Sequence, residues 1–167
     1  MVSKLIGVVL IGLALLLATP LHAAWQSAVN GSALGKRMPA LVQRADAGQR
    51  VVLVDFWAPW CLRCRESVPL LNRMQRDYGA RGLHVIGMAR EPPPELAAYA
   101  RRVSLDYAVR CDQGGVLFKA LGLRSLPYAV LVDRNGIVVW QGDPASLRRD
   151  TIEATLAAPA LGALLRF

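Results

Sequence analysis

An apolar segment interrupted only by Asp55 covers residues 51–58 and leads directly to Cys61 and Cys64, which are two residues apart. Such a segment predicts a strand inside a sheet that is covered on both faces. From Cys61 to Tyr78, apolar residues recur at helical spacing on the side of Cys64. The pattern therefore predicts a strand followed by a helix whose first turn carries a pair of thiols.

A cysteine pair at the start of a helix is typical of a dithiol redox site. The helix start supplies unpaired N–H groups and a partial positive charge, and both stabilise the reactive thiolate. A structural disulfide is the alternative, but a bridge from Cys61 to Cys64 closes a very small loop and removes little unfolded-state entropy. We therefore expect a redox-active disulfide and no other cofactor.

Residues 1–23 have the layout of a secretory signal peptide, with a basic start, an apolar run over residues 5–18 and small residues for cleavage. The apolar run is shorter than the ~20 residues that a membrane-spanning helix needs. The alternative is an uncleaved leader that tethers the protein to a membrane through residues 5–21. We expect a periplasmic or otherwise extracytoplasmic protein with one domain over residues 24–167.

The charge of the chain bears on its partners. The net charge is +8, and the leader carries only Lys4, so its removal lowers the charge by one. The arginines are scattered, with adjacent pairs only at 101–102 and 148–149, and no basic block alternates with aromatic residues. We expect no nucleic-acid binding and a mild preference for acidic partners.

The rest of the chain predicts a mixed α/β architecture. A second strand over 83–89 completes a strand–helix–strand unit, which requires parallel pairing. Asn135-Gly136 lies between two apolar runs and predicts a hairpin. The other predicted elements are a short helix near 41–45, a helix near 95–103, a short strand at 107–111, a short helix at 115–121, hairpin strands at 128–133 and 137–141, and a last helix from Pro144 to about Ala157.

This order of elements, with a cysteine pair opening the first helix, resembles the thioredoxin fold over residues 52–142. The motifs that carry the resemblance are Val-Asp-Phe-Trp-Ala-Pro-Trp-Cys-Leu-Arg-Cys at 54–64, then Pro69, then Ser-Leu-Pro at 125–127. The segment 90–113, inserted before the proline, resembles the added element of the exported TlpA/ResA-type thiol–disulfide oxidoreductases. The resemblance implies a thioredoxin-like fold, with a central mixed β-sheet flanked by helices.

The resemblance also implies roles for individual residues. Cys61 would attack a substrate disulfide and form a mixed disulfide, and Cys64 would resolve it. Pro127 matches the family's cis-proline, which would expose the backbone of Leu126 for strand-like pairing with substrate; an ordinary trans proline is the alternative. Trp60 is expected on an exposed apolar rim beside these residues, and Trp57 in the core.

Asp55 is a carboxylate in an otherwise apolar strand. A buried acid without a partner is costly, so desolvation should raise its pKa toward neutrality. Such a group suits a general base that deprotonates Cys64. Thioredoxins carry Asp at the matching position, whereas the TlpA-like subgroup often does not. The alternative is a structural Asp in a salt bridge.

Leu62 and Arg63 lie between the cysteines and are candidates for tuning the redox potential. A positive charge near a thiol lowers its pKa and makes the disulfide a stronger oxidant. The alternative is that Arg63 points into solvent and contributes under ~1 kcal/mol. Many TlpA-like proteins carry Glu at the position of Ser67; Glu66 is roughly 100° away around the helix and is expected to be a solvated acid.

Cys111 is the odd cysteine and is expected to be a free buried thiol, with pairing to a partner or an extra resolving role as alternatives. Once the leader is removed, His84 is the remaining histidine. One histidine and three cysteines in this arrangement are a poor set of zinc ligands, so we expect no metal site.

The family resemblance implies an enzyme that exchanges disulfides with cysteine-containing exported proteins, including apocytochromes in cytochrome c maturation. A membrane-bound electron donor or acceptor is an expected partner. The alternative is a non-enzymatic accessory module that handles metal or haem through the dithiol. A peroxidase of the related peroxiredoxin group is a weaker third interpretation, because that group lacks this Trp-Cys-Xaa-Xaa-Cys arrangement.

Overall fold

The computed structural model describes residues 32–38 and 50–160. The predicted signal peptide over 1–23 and the predicted helix near 41–45 lie outside these residues. The strands are β1 (Val51–Phe56), β2 (Leu83–Ala89), β3 (Ala108–Cys111), β4 (Tyr128–Val132) and β5 (Val138–Gly142). The helices are α1 (Leu62–Tyr78), α2 (Pro93–Ala100), α3 (Val116–Ala120) and α4 (Arg149–Ala157). No helix in this part of the chain is both long and apolar enough to cross a membrane.

The five strands form one mixed sheet in the order β3-β2-β1-β4-β5. β1 pairs in parallel with β2, and β2 in parallel with β3, whereas β4 is antiparallel to both β1 and β5. All six residues of the central strand β1 are buried, as its apolar sequence predicts. The predicted α/β class with a central mixed sheet is confirmed.

Helices cover both faces of this sheet, because side chains along β1 alternate between the faces. One face carries Val52, Val54 and Phe56 of β1 and packs against Leu117 and Phe118 of α3. The other face carries Val51 and Leu53 and packs against α1 and α4. Asp55 lies two residues after Leu53 along β1, so its side chain points to the same face of the sheet, the one covered by α1.

The hairpin between β4 and β5 forms as predicted. The Asp133 carboxylate accepts hydrogen bonds from the backbone N–H groups of Asn135 at 2.9 Å and Ile137 at 2.8 Å. Gly136 adopts φ 79°, a left-handed conformation that glycine enters without steric cost. Arg37 adds an isolated antiparallel bridge to Ile137, beside this hairpin.

The last helix begins later than predicted, so the predicted start at Pro144 is wrong. Pro144–Ser146 forms a separate 3₁₀ turn, Leu147 is extended, and α4 begins only at Arg149. The Asp143 carboxylate caps the short turn, and the Leu147 side chain is buried in the core. Burial of Leu147 in an extended conformation therefore separates the turn from the helix.

Helix α2 also differs from its prediction, since it covers Pro93–Ala100 rather than 95–103. Proline is accommodated in the first turn of a helix, where its missing N–H would have no partner. The helix therefore starts within the proline run instead of after it.

Candidate active site

The two cysteines of the sequence motif are joined in a disulfide at the start of α1. The S–S distance is 1.98 Å and the Cα–Cα distance is 5.3 Å. Cys61 is the N-cap residue of α1, and its Sγ accepts a hydrogen bond from the backbone N of Cys64 at 3.2 Å. The sulfur of Cys61 therefore sits where helix N–H groups and the helix dipole stabilise a thiolate.

Both cysteines are buried, and Cys61 is the more exposed, at 8 % against 3 % for Cys64. The order agrees with the expectation that Cys61 meets the substrate, although the margin is small. The disulfide belongs to an apolar cluster, which we call the dithiol cluster, formed by Trp57, Ala58, Cys61, Cys64, Ala89, Leu96 and Tyr99. Trp57 is thus a core residue, as predicted.

An apolar rim lies around the disulfide. Trp60 and Leu62 are 70 % and 71 % exposed, which is unusual for side chains of this size. The Nε1 of Trp60 donates a hydrogen bond to Glu91 Oε1 at 3.1 Å. Trp60 and Leu126 line one groove of about 320 Å³, together with Arg90, Phe118, Leu123, Arg124 and Ser125. The structure thus brings together two of the residues that the sequence assigned to substrate binding.

The Leu126–Pro127 peptide bond is cis. Tyr128, the next residue, pairs with Phe56 at the end of β1 that leads to the dithiol. Pro127 is buried, and it lines a second cavity of about 280 Å³ that also involves Arg63, Ser67 and Asp143. The register between β1 and β4 therefore places Pro127 at the same end of the sheet as the disulfide.

Asp55 is 2 % exposed, and its Oδ1 is buried without a hydrogen-bond partner. Burial, and secondly the negative charge of Asp143, raise the pKa of Asp55 to about 8. The sequence predicts this direction and its main cause. Among the described residues no salt bridge to Asp55 occurs, so the structural-salt-bridge alternative is not supported.

Aromatic residues surround Asp55 on the α1 side of the sheet. Burial first, and then the charge of Asp55, raise the pKa of Tyr107 above its usual range. Asp55 pairs in register with Gly87 of β2. A Cβ at Gly87 would lie 2.7 Å from Trp57 Nε1, so this glycine makes room for the indole. The sequence offered no signal for Gly87 beyond an isolated glycine in a strand.

Arg63 has a partner that the sequence does not predict. Its Nη2 lies 3.3 Å from Asp143 Oδ2, while the Arg63 side chain stays 58 % exposed. Arg63 is therefore neither a bare charge beside the thiols nor an isolated solvent-facing residue. The Asp-Pro at 143–144 is a recognisable turn signal, but nothing local connects it with a residue 80 positions earlier.

Three further residues lie around the disulfide, and two of them, Glu66 and Ser67, line the second cavity. Glu66 is exposed, as expected, and Ser67 is buried on α1. Cys111 is a free, half-buried thiol that pairs in register with Ala89 and packs against the dithiol cluster. Within residues 32–38 and 50–160, no three His, Cys, Asp or Glu side chains are grouped in a way that would hold a metal ion.

Known proteins share both the sequence pattern and the fold. The AhpC/TSA family matches residues 35–141. Thiol-disulfide oxidoreductase ResA of Bacillus thuringiensis subsp. konkukian is 27 % identical over 118 residues, which cover 65 % of this chain and 68 % of the relative.

Solved structures agree with this relationship. A Chlorobium tepidum structure assigned as a thiol:disulfide interchange protein DsbE is 32 % identical with a TM-score of 0.62, and covers 68 % of this chain and 85 % of its own. A Neisseria meningitidis structure assigned as a thioredoxin is 23 % identical with a TM-score of 0.53, covers 72 % and 73 %, and shares the fold. Since the family match spans the sheet, α1 and the disulfide, this chain belongs to the AhpC/TSA family and is a thioredoxin-fold relative of the thiol–disulfide oxidoreductases.

Proposed function

We propose that this protein exchanges disulfides with cysteine-containing exported proteins through Cys61 and Cys64. The observation that carries the proposal is the disulfide at the N-terminus of α1, where the Cys61 sulfur accepts a hydrogen bond from a helix N–H. A helix terminus of this kind favours the thiolate that exchange requires. The Cys61–Cys64 pair carries two electrons as the dithiol and accepts two as the disulfide, so the proposed reaction needs no further cofactor.

Exchange in the reducing direction takes two steps. The Cys61 thiolate attacks one sulfur of a substrate disulfide, a Cys61–substrate bond forms, and the other substrate sulfur leaves as a thiolate. The Cys64 thiolate then attacks Cys61 Sγ, the Cys61–Cys64 bond forms, and the second substrate sulfur leaves. Two electrons pass from the protein to the substrate, and each departing thiolate takes up a proton. The reverse sequence oxidises a substrate dithiol.

Asp55 is the proposed proton acceptor for Cys64 in the second step. Its unpartnered Oδ1 is free to take a proton, and its pKa of about 8 is close to that of an ordinary thiol. A base with a pKa near the working pH both takes and releases protons readily. These two properties support the role.

Trp60, Leu126 and Pro127 are the proposed substrate-binding residues. The exposed indole of Trp60 and the partly buried Leu126 line the groove beside the disulfide. An apolar rim of this kind suits an unfolded or extended protein segment that presents a cysteine.

Leu62 and Arg63 are the proposed tuning residues, and the Asp143 carboxylate offsets part of the positive charge that Arg63 brings to the thiols.

The leader predicted over residues 1–23 supports an extracytoplasmic location, with tethering through residues 5–21 if it is retained. In that compartment a membrane-bound donor or acceptor would restore the dithiol or the disulfide after each turnover. Apocytochromes that await haem attachment are one proposed substrate group.

Trapping of mixed disulfides tests this function. Cys64→Ser removes the resolving thiol, so substrates should remain bonded to Cys61 when the variant is expressed in its native compartment. The matched control is Cys61→Ser/Cys64→Ser, and recovery of no partner above this control contradicts the proposal. Purified protein should also catalyse insulin reduction. Tight stoichiometric metal binding without exchange would favour the accessory module, and rapid consumption of hydrogen peroxide would favour a peroxidase.

A further inference from the structure

Asp143 lies at the same end of the sheet as Asp55. Across the sheet, Asp55 pairs with Ala129 of β4, and Ala129 pairs with Gly142 of β5. Asp143 directly follows Gly142, so the register brings it to the edge of the site although it is remote in sequence. The two carboxylates therefore occupy one end of three adjacent strands.

The turn that follows Asp143 holds this residue in place through a backbone N–H and a serine hydroxyl. Its Oδ1 accepts a hydrogen bond from the backbone N of Ala145 at 2.9 Å, and its carbonyl oxygen accepts one from Ser146 Oγ at 2.8 Å. Asp143 is 8 % exposed. A carboxylate that is held and buried in this way exerts its charge on its neighbours with little screening by water.

The negative charge of Asp143 acts on Asp55, and Arg63, which carries the opposite charge, is paired with Asp143. Asp143 disfavours a second negative charge on Asp55, whereas Arg63, paired with Asp143 at 3.3 Å, offsets part of that effect. The titratable or charged groups on the Asp55 side are Tyr107 ahead of β3, Tyr99 of α2, Arg65 of α1 and Arg102 after α2. Glu66 and Arg73 of α1 line one cavity with Asp143 and Arg63. The raised pKa values of the two tyrosines leave them neutral near pH 7, and Asp143 is the carboxylate whose negative charge raises the pKa of Asp55.

We propose that Asp143 is a positioning residue that keeps the proton on Asp55, and that Arg63 moderates this effect by pairing with Asp143. The consequence for the rate of exchange rests on the proposed role of Asp55 as the base for Cys64. The consequence for the protonation of Asp55 does not, and it is measurable without any substrate.

Titration of the Asp55 carboxyl by NMR tests the inference directly, with Asp55→Asn identifying the resonance. Asp143→Asn removes the negative charge and keeps an oxygen that accepts from Ala145 N, so the Asp55 midpoint should fall by about one pH unit. Arg63→Gln removes the offsetting positive charge, so the midpoint should rise. Shifts of opposite sign in the two variants indicate an electrostatic effect. A loss of structure would have no reason to shift the Asp55 midpoint in opposite directions.

The matched control is the exposed pair Arg148–Asp150, whose Nη2–Oδ2 distance is 2.7 Å. Asp150→Asn and Arg148→Gln should leave the Asp55 midpoint unchanged. An unchanged midpoint in Asp143→Asn, or shifts of the same sign in Asp143→Asn and Arg63→Gln, overturns the inference.

Resolution kinetics provide the second readout. In Asp143→Asn, the pH at which resolution by Cys64 becomes fast should fall with the Asp55 midpoint. A midpoint that falls from about 8 to about 7 raises the ionised fraction of Asp55 at pH 7 from about one tenth to about one half, so resolution should become up to about fivefold faster. If Asp55→Asn resolves mixed disulfides as fast as the wild type, the base role in the proposed function fails. In that case the titration result still decides whether Asp143 controls the proton on Asp55.

Discussion

At the scale of single residues, the pairing of Arg63 with Asp143 changes the effect that Arg63 is expected to have on the redox potential. A positive charge between two cysteines stabilises their thiolates and makes the pair more oxidising. The Asp143 carboxylate 3.3 Å away offsets that charge, and more than half of the Arg63 side chain faces solvent. The effect of Arg63 on the redox potential should therefore be small but of definite sign.

Arg63→Ala should make the potential more reducing by less than about 20 mV, the equivalent of an exposed charge worth under ~1 kcal/mol. Asp143→Asn leaves Arg63 without this carboxylate and should move the potential in the oxidising direction. Equilibration with glutathione buffers measures both shifts, and Arg148→Ala is the control for a remote surface arginine. A more oxidising Arg63→Ala protein would contradict the prediction.

At the scale of elements, the junction of β1 with α1 builds the site, and β2 makes room for it. β1 ends at Phe56, and α1 begins at Leu62 with Cys61 as its cap. The Trp57 indole lies over Gly87 of β2, where any side chain would collide with it. Close packing of this kind leaves no space for an added methyl group.

Gly87→Ala should therefore lower the free energy of unfolding by about 1–3 kcal/mol, the usual cost of overpacking a core. It should also disturb the environment of Trp57, which near-ultraviolet circular dichroism and fluorescence would show. Val139→Ile adds one methyl group at a strand position that is 41 % exposed and should change stability by less than about 0.5 kcal/mol. Equal stability of Gly87→Ala and the wild type in urea titration would show that the indole moves freely.

At the scale of the whole molecule, the buried Asp55 links stability to pH. The folded state keeps a proton on Asp55 up to a pKa of about 8, whereas the unfolded chain loses it near the ordinary aspartate pKa of 3.8. Between these values the folded state binds more protons than the unfolded state. The contribution of Asp55 to stability is therefore present in full at low pH and declines as pH rises through this window.

Asp55→Asn should remove this decline. The wild type should lose up to roughly 1.4 kcal/mol of unfolding free energy per pH unit from this group between about pH 4 and pH 8. As pH increases, the free energy of unfolding of Asp55→Asn should therefore rise relative to that of the wild type. Urea unfolding at pH 5 and pH 8 measures it, with Asp150→Asn as an exposed control. A constant difference across this range would mean that Asp55 is ionised in the folded protein.

Local patterns in the sequence determined most of the architecture. Side-chain periodicity predicted β1, α1 and β2, and Asn135-Gly136 predicted the hairpin, because these signals depend on neighbours within one turn or strand. Thiol chemistry at a helix start was equally local, since the cap and the helix dipole belong to α1 alone. The position of Asp55 in an otherwise apolar strand likewise predicted that its carboxyl group is desolvated.

Only the tertiary structure decided what surrounds those residues. The pairing of Arg63 with Asp143, the space at Gly87 and the position of Cys111 beside the dithiol cluster depend on the register of strands that are distant in sequence. The break before α4 likewise follows from burial of Leu147 against the core. A single sequence contains no local signal for such contacts, because the sheet that creates them exists only after the chain has folded.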